Sequence, residues 1–178
     1  VGNSGTGKST LLGLLAGLDK PTSGQILFKN KDIVQQGYSY HRKHHISLVF
    51  QNYNLIDYLT PLENLKLVNP RATTKTLRTM GLDDEHVNRN VMKLSGGQQQ
   101  RVAICRALVS PAPIILADEP TGNLDEATAG DIIDILHQVT KRDNKCVIVV
   151  THSKRLAKTA DIVLRLKAGK LVEQGNAD

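Results

Sequence analysis

An α/β architecture, a mainly parallel sheet flanked by helices with a small helical subdomain, follows from the order of apolar segments in this 178-residue chain. Two observations predict it. The runs "ISLVF" (46–50), "IILAD" (114–118) and "CVIVVTH" (146–152) are of strand length and apolar through their centres. Strands of a parallel sheet covered on both faces read this way. Helix-period segments separate them, and alternation of the two types belongs to layered α/β domains.

The elements follow in order. "KSTLLGLLAGL" places Leu11, Leu12, Leu15 and Leu18 on one helical stripe. "DKPTSG" is a turn cluster, and "QILF" after it reads as a strand. From Thr60 to Arg89 the chain is polar and helix-like, with a breaker at Asn69-Pro70. Residues 60–89 are therefore expected to form a helical subdomain inserted between core segments 1–59 and 90–178. "GGQQQRVAICRALVS" reads as a helix stopped by Pro111 and Pro113. From Glu126 a second helix puts Ala129, Ile132, Ile133, Leu136 and Val139 on one face. "DIVLRLKAGKLVEQG" reads as a hairpin around Ala168-Gly169.

Bulk properties narrow the function. Aromatic residues make up 3% and Trp is absent, which argues against a stacking platform for single-stranded nucleic acid. The net charge of +6 is scattered apart from the cluster His41-Arg42-Lys43-His44-His45, so a solvated face is favoured over an anionic partner. No apolar run approaches the ~18 residues of a membrane span. Cys105 and Cys146 both lie in apolar runs and are expected as buried free thiols, which suits a reducing cytosol.

Three motifs carry chemistry. Gly2 to Ser9 reads G-N-S-G-T-G-K-S, the G-x-x-x-x-G-K-[ST] phosphate loop. Its glycines let several backbone N–H groups close on one phosphate at a helix N-terminus. Asn3, Ser4, Gly5, Thr6, Gly7, Lys8, Ser9 and Thr10 are the candidate nucleotide contacts. Lys8 would reach the β- and γ-phosphates, and Ser9 would hold Mg²⁺. Such a loop should follow an apolar strand, so a strand is expected before Val1. In "IILADEP", Asp118 and Glu119 end an apolar strand, the edge at which open parallel sheets bind ligands. Asp118 would hold Mg²⁺, and Glu119 would orient and deprotonate the attacking water. The third motif is "LSGGQQQR" (94–101).

With the phosphate loop before it and "ILADEPTGNLD" after it, the chain resembles the ATP-binding cassette (ABC) ATPases, P-loop NTPases, over essentially its full length. The resemblance implies that two such domains pack head to tail, a homodimer here, with ATP and Mg²⁺ between them. Ser95, Gly96, Gly97 and Gln98 would then meet the γ-phosphate bound by the other copy. Gln51 in "VFQNYNL" matches the Q-loop glutamine, near metal and attacking water. Asp125 matches the D-loop aspartate of the interface, and His152 in "VTHS" matches the switch histidine. An upstream aromatic for adenine is also implied. The Gln51–Leu94 stretch is shorter than in the family's exporters, with the deficit around "LVNPRATTKTL". The motif wording looks like the subfamily exporting lipoproteins, macrolides or antimicrobial peptides. The implied protein is cytoplasmic, peripheral on the inner face of the cell membrane, and works on an integral membrane permease, with no nucleic-acid partner. Chromosome-organising relatives need long coiled coils that are absent here. A ribosome-associated cassette is the alternative, and it fits "ADEPTGNLD" less well.

Overall fold

The structure is a computed structural model describing residues 1, 6–142 and 144–173. Helix α1 (Lys8–Ala16) comes first. Strands β1 (Leu27–Phe28) and β2 (Lys31–Asp32) form a short antiparallel ribbon. Helix α2 (Tyr38–His44) then leads into β3 (Ile46–Val49). Three short helices follow, α3 (Pro61–Lys66), α4 (Thr74–Thr79) and α5 (Asp84–Val87). Helix α6 (Gly96–Leu108), strand β4 (Ile114–Asp118), helix α7 (Glu126–Arg142) and strand β5 (Cys146–Val150) complete the centre. The chain closes with α8 (Lys154–Lys158) and the hairpin β6 (Leu164–Lys167)–β7 (Lys170–Glu173).

The central sheet has the order β3-β4-β5, all parallel. Its pleat sorts side chains by parity. Val49, Ile115 and Ala117 face Ile104 and Ala107 of α6 and Ile132, Leu136 and Val139 of α7. On the other face Ile46, Leu116 and Val150 meet Leu12 and Ala16 of α1. A third cluster joins Leu65, Leu77, Leu82 and Val87 to Val102 and Cys105 of α6. Helix α6 thus packs on the sheet with one side and on α3–α5 with the other. Each fully buried Leu or Ile contributes roughly 1.5–3 kcal/mol from removal of its surface from water.

The helix ends are set locally. Thr60 and Glu63 form a capping box at α3, with Pro61 in its first turn. Ser95 and Gln98 form the same device at α6. Helix α1 stops at Gly17, whose φ of 66° lies in the left-handed region. That stop corrects one sequence expectation: Leu18 falls beyond the helix and is 52% exposed, outside the stripe of Leu11, Leu12 and Leu15. "QILF" is a strand over only its last two residues.

A second correction concerns cover over the sheet. Among the described residues β5 is one of its two outer strands, and α1 lies over β4 and the far end of β5. Cys146 and Ile148 on that face are consequently exposed. Cys105 is the buried thiol that was expected, its pKa pushed up to about 12 by burial.

The native protein should accordingly take up one equivalent of a thiol reagent, at Cys146, and a second only in denaturant, as peptide mapping would read. Leu77→Ala, at a site with no exposed surface, should lower stability by about 2–5 kcal/mol in urea unfolding.

Candidate functional site

The C-terminal ends of β4 and β5 converge on the N-terminus of α1, and a cleft of about 580 Å³ opens between them. Gly7 precedes α1 with a φ of 91°, a turn that an L side chain resists. Lys8 follows as the first helical residue and is buried. The first turn of α1 carries no acidic residue, so the lysine adds positive charge where the helix dipole is already positive. Its Nζ donates to His152 Nε2 at 3.1 Å. An ammonium only donates, which places the ring proton of His152 on Nδ1. Ser9 and Thr10 line the same cleft and are exposed.

Asp118 is the last residue of β4 and Glu119 the next. The Glu119 N–H donates to Val150 O at 2.9 Å, extending the ladder by one rung. Its φ is then 44°, left-handed, a strain of order 1–3 kcal/mol for a non-glycine residue. That turn swings the carboxylate over the end of β5. Oε2 accepts from Thr151 Oγ1 at 3.0 Å and from the His152 N–H at 3.2 Å. Oε1 is buried, accepts no hydrogen bond among the described residues, and lies 3.5 Å from His152 Nε2.

Gln51 enters from the end of β3. Its Nε2 donates to Asn123 Oδ1 at 3.2 Å, and Asn123 Nδ2 donates back to Gln51 O at 3.3 Å. Gly122 makes the approach possible: a Cβ there would stand 3.2 Å from Gln51 Nε2 and 3.4 Å from the Glu119 Cβ. The chain beyond Gln51 is strapped to α6 by Arg106, whose Nη1 and Nη2 donate to Asn54 O at 2.6 Å and Tyr53 O at 3.2 Å.

Lys8, Ser9, Thr10, Gln51, Asp118, Glu119 and His152 therefore share one cleft, whereas Ser95, Gly96, Gly97 and Gln98 do not line it. In the capping box the Gln98 N–H donates to Ser95 Oγ at 3.3 Å, and the Ser95 N–H donates to Gln98 Oε1 at 2.9 Å. Asp125 is exposed and caps α7, accepting from Thr128 Oγ1 at 2.7 Å and Thr128 N at 3.0 Å. Those hydrogen bonds hold its carboxyl below the ordinary range. Thr6 is half-buried just before Gly7. Asn3, Ser4 and Gly5 lie outside the described residues.

Sequence reasoning overlooked Asn123 and Thr151. Thr151 precedes His152 and Asn123 lies two residues before Asp125, but an amide or hydroxyl in a loop carries no periodicity or spacing signal. The cleft's chemistry fits an anion with a hard cation. A cationic helix start suits negative charge, the hydroxyl, amide and carboxylate oxygens suit Mg²⁺, and among the described residues Glu119 Oε1 is a buried acceptor without a donor.

Comparison with known proteins agrees with this geometry. The family described as ABC transporter matches residues 1–122. The ABC transporter ATP-binding protein YclH of Bacillus subtilis is 40% identical over 99% of this chain and 82% of its own length. The lipoprotein-releasing system ATP-binding protein LolD of Rickettsia felis is 40% identical over 96% of this chain and 80% of its own. The dimeric structure of MJ0796, an ABC transporter cassette from Methanocaldococcus jannaschii, superposes with a TM-score of 0.85 at 38% identity. It covers 97% of this chain and 82% of that one. A second dimeric MJ0796 structure is a post-hydrolysis state with ADP and Pi. On this fold, this cleft and these relatives, the chain belongs to the ABC transporter family, as one of its ATPase cassettes.

Proposed function

We propose that the chain is the ATP-binding and hydrolysing subunit of a transporter, closing as a homodimer on ATP to drive a membrane permease. The observation that carries the catalytic half is the carboxylate of Glu119, anchored through one oxygen and left with a buried acceptor in the other.

In this reading the phosphate loop, Asn3 to Thr10, wraps the nucleotide phosphates with its backbone N–H groups. Lys8 leaves His152 and turns its ammonium to the β- and γ-phosphates. Ser9, Gln51 and Asp118 would hold Mg²⁺, which supplies charge neutralisation on the phosphates when bound. Glu119 Oε1 accepts a hydrogen bond from the attacking water and takes its proton, while Thr151 and the His152 backbone keep the carboxylate aimed. His152, freed from Lys8, can donate to the γ-phosphate through whichever ring nitrogen carries a proton and faces it. Asn123 holds Gln51 against the loop that follows Glu119.

Ser95, Gly96, Gly97 and Gln98 stand apart from the cleft of their own copy and would act on the nucleotide of the partner copy. The dipole of α6 and its backbone N–H groups would favour the γ-phosphate there. Asp125 would lie along the same interface. The boundaries 1–59 and 90–178 for the core and 60–89 for the helical subdomain belong to this proposal. Between Gln51 and the residues just after α3, Ile56, Tyr58, Leu67 and Val68 are exposed, Tyr58 by 80%, which supports docking of a permease beside the Q-loop. We place the protein on the cytoplasmic face of the membrane; among the described residues no helix is long and apolar enough to cross it. Peptides, lipoproteins or drugs are the proposed export substrates. The ribosome-associated alternative is not favoured.

Glu119→Gln should reduce ATP hydrolysis by on the order of 10²–10⁴-fold and leave ATP affinity within a few-fold of the parent; hydrolysis near the parental rate would remove Glu119 from the base role. For the shared site, Lys8→Ala and Ser95→Arg proteins, each inactive alone, should regain ATPase activity on mixing. The mixed dimer would hold one intact and one doubly damaged site. No recovery despite demonstrated mixed dimers would argue against a site built from two copies.

A further inference from the structure

The α6 signature carries a hydrogen-bond chain that reaches into the α3–α5 region and ends on a histidine. Gln98 spends its amide oxygen on the Ser95 N–H at 2.9 Å. Its Nε2 is turned away and meets His86 Nε2 at 2.7 Å. An amide nitrogen only donates, so His86 Nε2 is the acceptor and the ring proton sits on Nδ1. Nδ1 is buried and lies 2.6 Å from Asp83 Oδ1. A carboxylate oxygen therefore faces the Nδ1 side of the ring, which suits a proton there. Asp83 is itself fixed as the N-cap of α5, accepting from the His86 N–H at 3.0 Å. From these contacts we infer that His86 is a positioning residue for the signature: it selects the orientation of the Gln98 amide and thereby holds Ser95 and the first turn of α6 ready for the second copy's nucleotide.

The reasoning is one of donor count. The Ser95 N–H on the inner side and His86 on the outer side favour the same flip of the Gln98 amide, and without His86 the outer NH₂ loses its acceptor. In the wrong flip the amide NH₂ faces the Ser95 N–H, two donors against each other, and the capping box opens. In the right flip Ser95 Oγ accepts from the Gln98 N–H at 3.3 Å, and its own hydroxyl proton stays available for an external acceptor. An anionic γ-phosphate is an acceptor of that kind. His86 has its side chain only 23% exposed, so water replaces this acceptor poorly. The histidine lies 12 positions before Gln98 in sequence and outside every motif, which is why spacing gave no hint of it.

The inference rests on the proposal that two copies share the nucleotide, and the test separates the two ideas. In a Glu119→Gln background that retains ATP, sedimentation would give the ATP-dependent dimer dissociation constant. A fluorescent ATP analogue at concentrations where the protein is monomeric would give nucleotide affinity. His86→Leu should weaken the dimer by roughly tenfold, the effect of an orphaned donor, with monomer affinity for the analogue unchanged. His86→Gln, whose amide oxygen can accept from Gln98, should restore most of the loss. In a Gln98→Ala background His86→Leu should add nothing further. A dimer as tight as the parent in His86→Leu, with Ser95→Arg still disruptive, overturns the inference alone, as does an undiminished effect of His86→Leu in the Gln98→Ala background. A dimer unaffected by Ser95→Arg overturns the shared-site proposal and the inference with it. Should His86→Leu fail to fold, judged by its thermal melt, His86→Lys and His86→Gln decide: His86→Lys, which can only donate toward the Gln98 amide, must weaken the dimer and His86→Gln must not, and a dimer unchanged by His86→Lys overturns the inference.

Discussion

The buried Lys8 ammonium stands at the positive end of a helix, and the cleft gathers Asp118, Glu119 and His152 around it. Lys8 stands where the α1 dipole is positive, with no carboxylate in the first turn to offset it. Its placement suits the phosphates of the proposed function, and its ammonium donates to His152. The group proposed to bind the β- and γ-phosphates and the group proposed to sense the γ-phosphate therefore occupy one another. In the proposed roles, nucleotide binding would separate them by exchanging this hydrogen bond for contacts to phosphate.

The opposite wall of the cleft is held by strand ends. Glu119 gains one more ladder bond to Val150 and then leaves the strand with a left-handed φ of 44°. The local strain is sustained because Thr151 and the His152 backbone N–H both hold the carboxylate. Strand β5 thereby fixes a residue that β4 supplies, and parallel pairing of the two sets the register. An antiparallel pair would put the two strand ends on opposite edges.

Helix α6 connects this site to the rest of the molecule. Ile104 and Ala107 pack on the sheet, Val102 and Cys105 pack on α3–α5, and Arg106 ties down the segment after Gln51. The N-terminus of the same helix carries the signature. A displacement of α3–α5 would carry the signature with it, because the two share a core. The Gln51 segment, linked through Asn123 to the loop after Glu119, supplies a second route from the cleft to the same helix. These are contiguous physical contacts; coupling along them is measured by the energetics of paired substitutions.

The sequence by itself determined the order of β3, β4 and β5 with α1, α6 and α7, and the patterns of the phosphate loop, the acidic pair and the signature, while β2, α2 and α8 went unread. Each is a local pattern, of apolar period or of glycine and polar spacing, and local patterns survive without a partner. It misjudged Leu18, because the left-handed Gly17 stopped the helix before the leucine stripe ended. It misjudged Cys146, because composition cannot say which apolar strand will lie at the uncovered side of a sheet. Only the tertiary structure decided that Lys8 meets His152 across 144 positions, that Asn123 clasps Gln51 across 72, and that His86 faces Gln98. Those contacts depend on which strand lies beside which and on which way a side-chain amide turns. Hydrogen-bond satisfaction in the folded chain sets both, and no pattern along the chain encodes it.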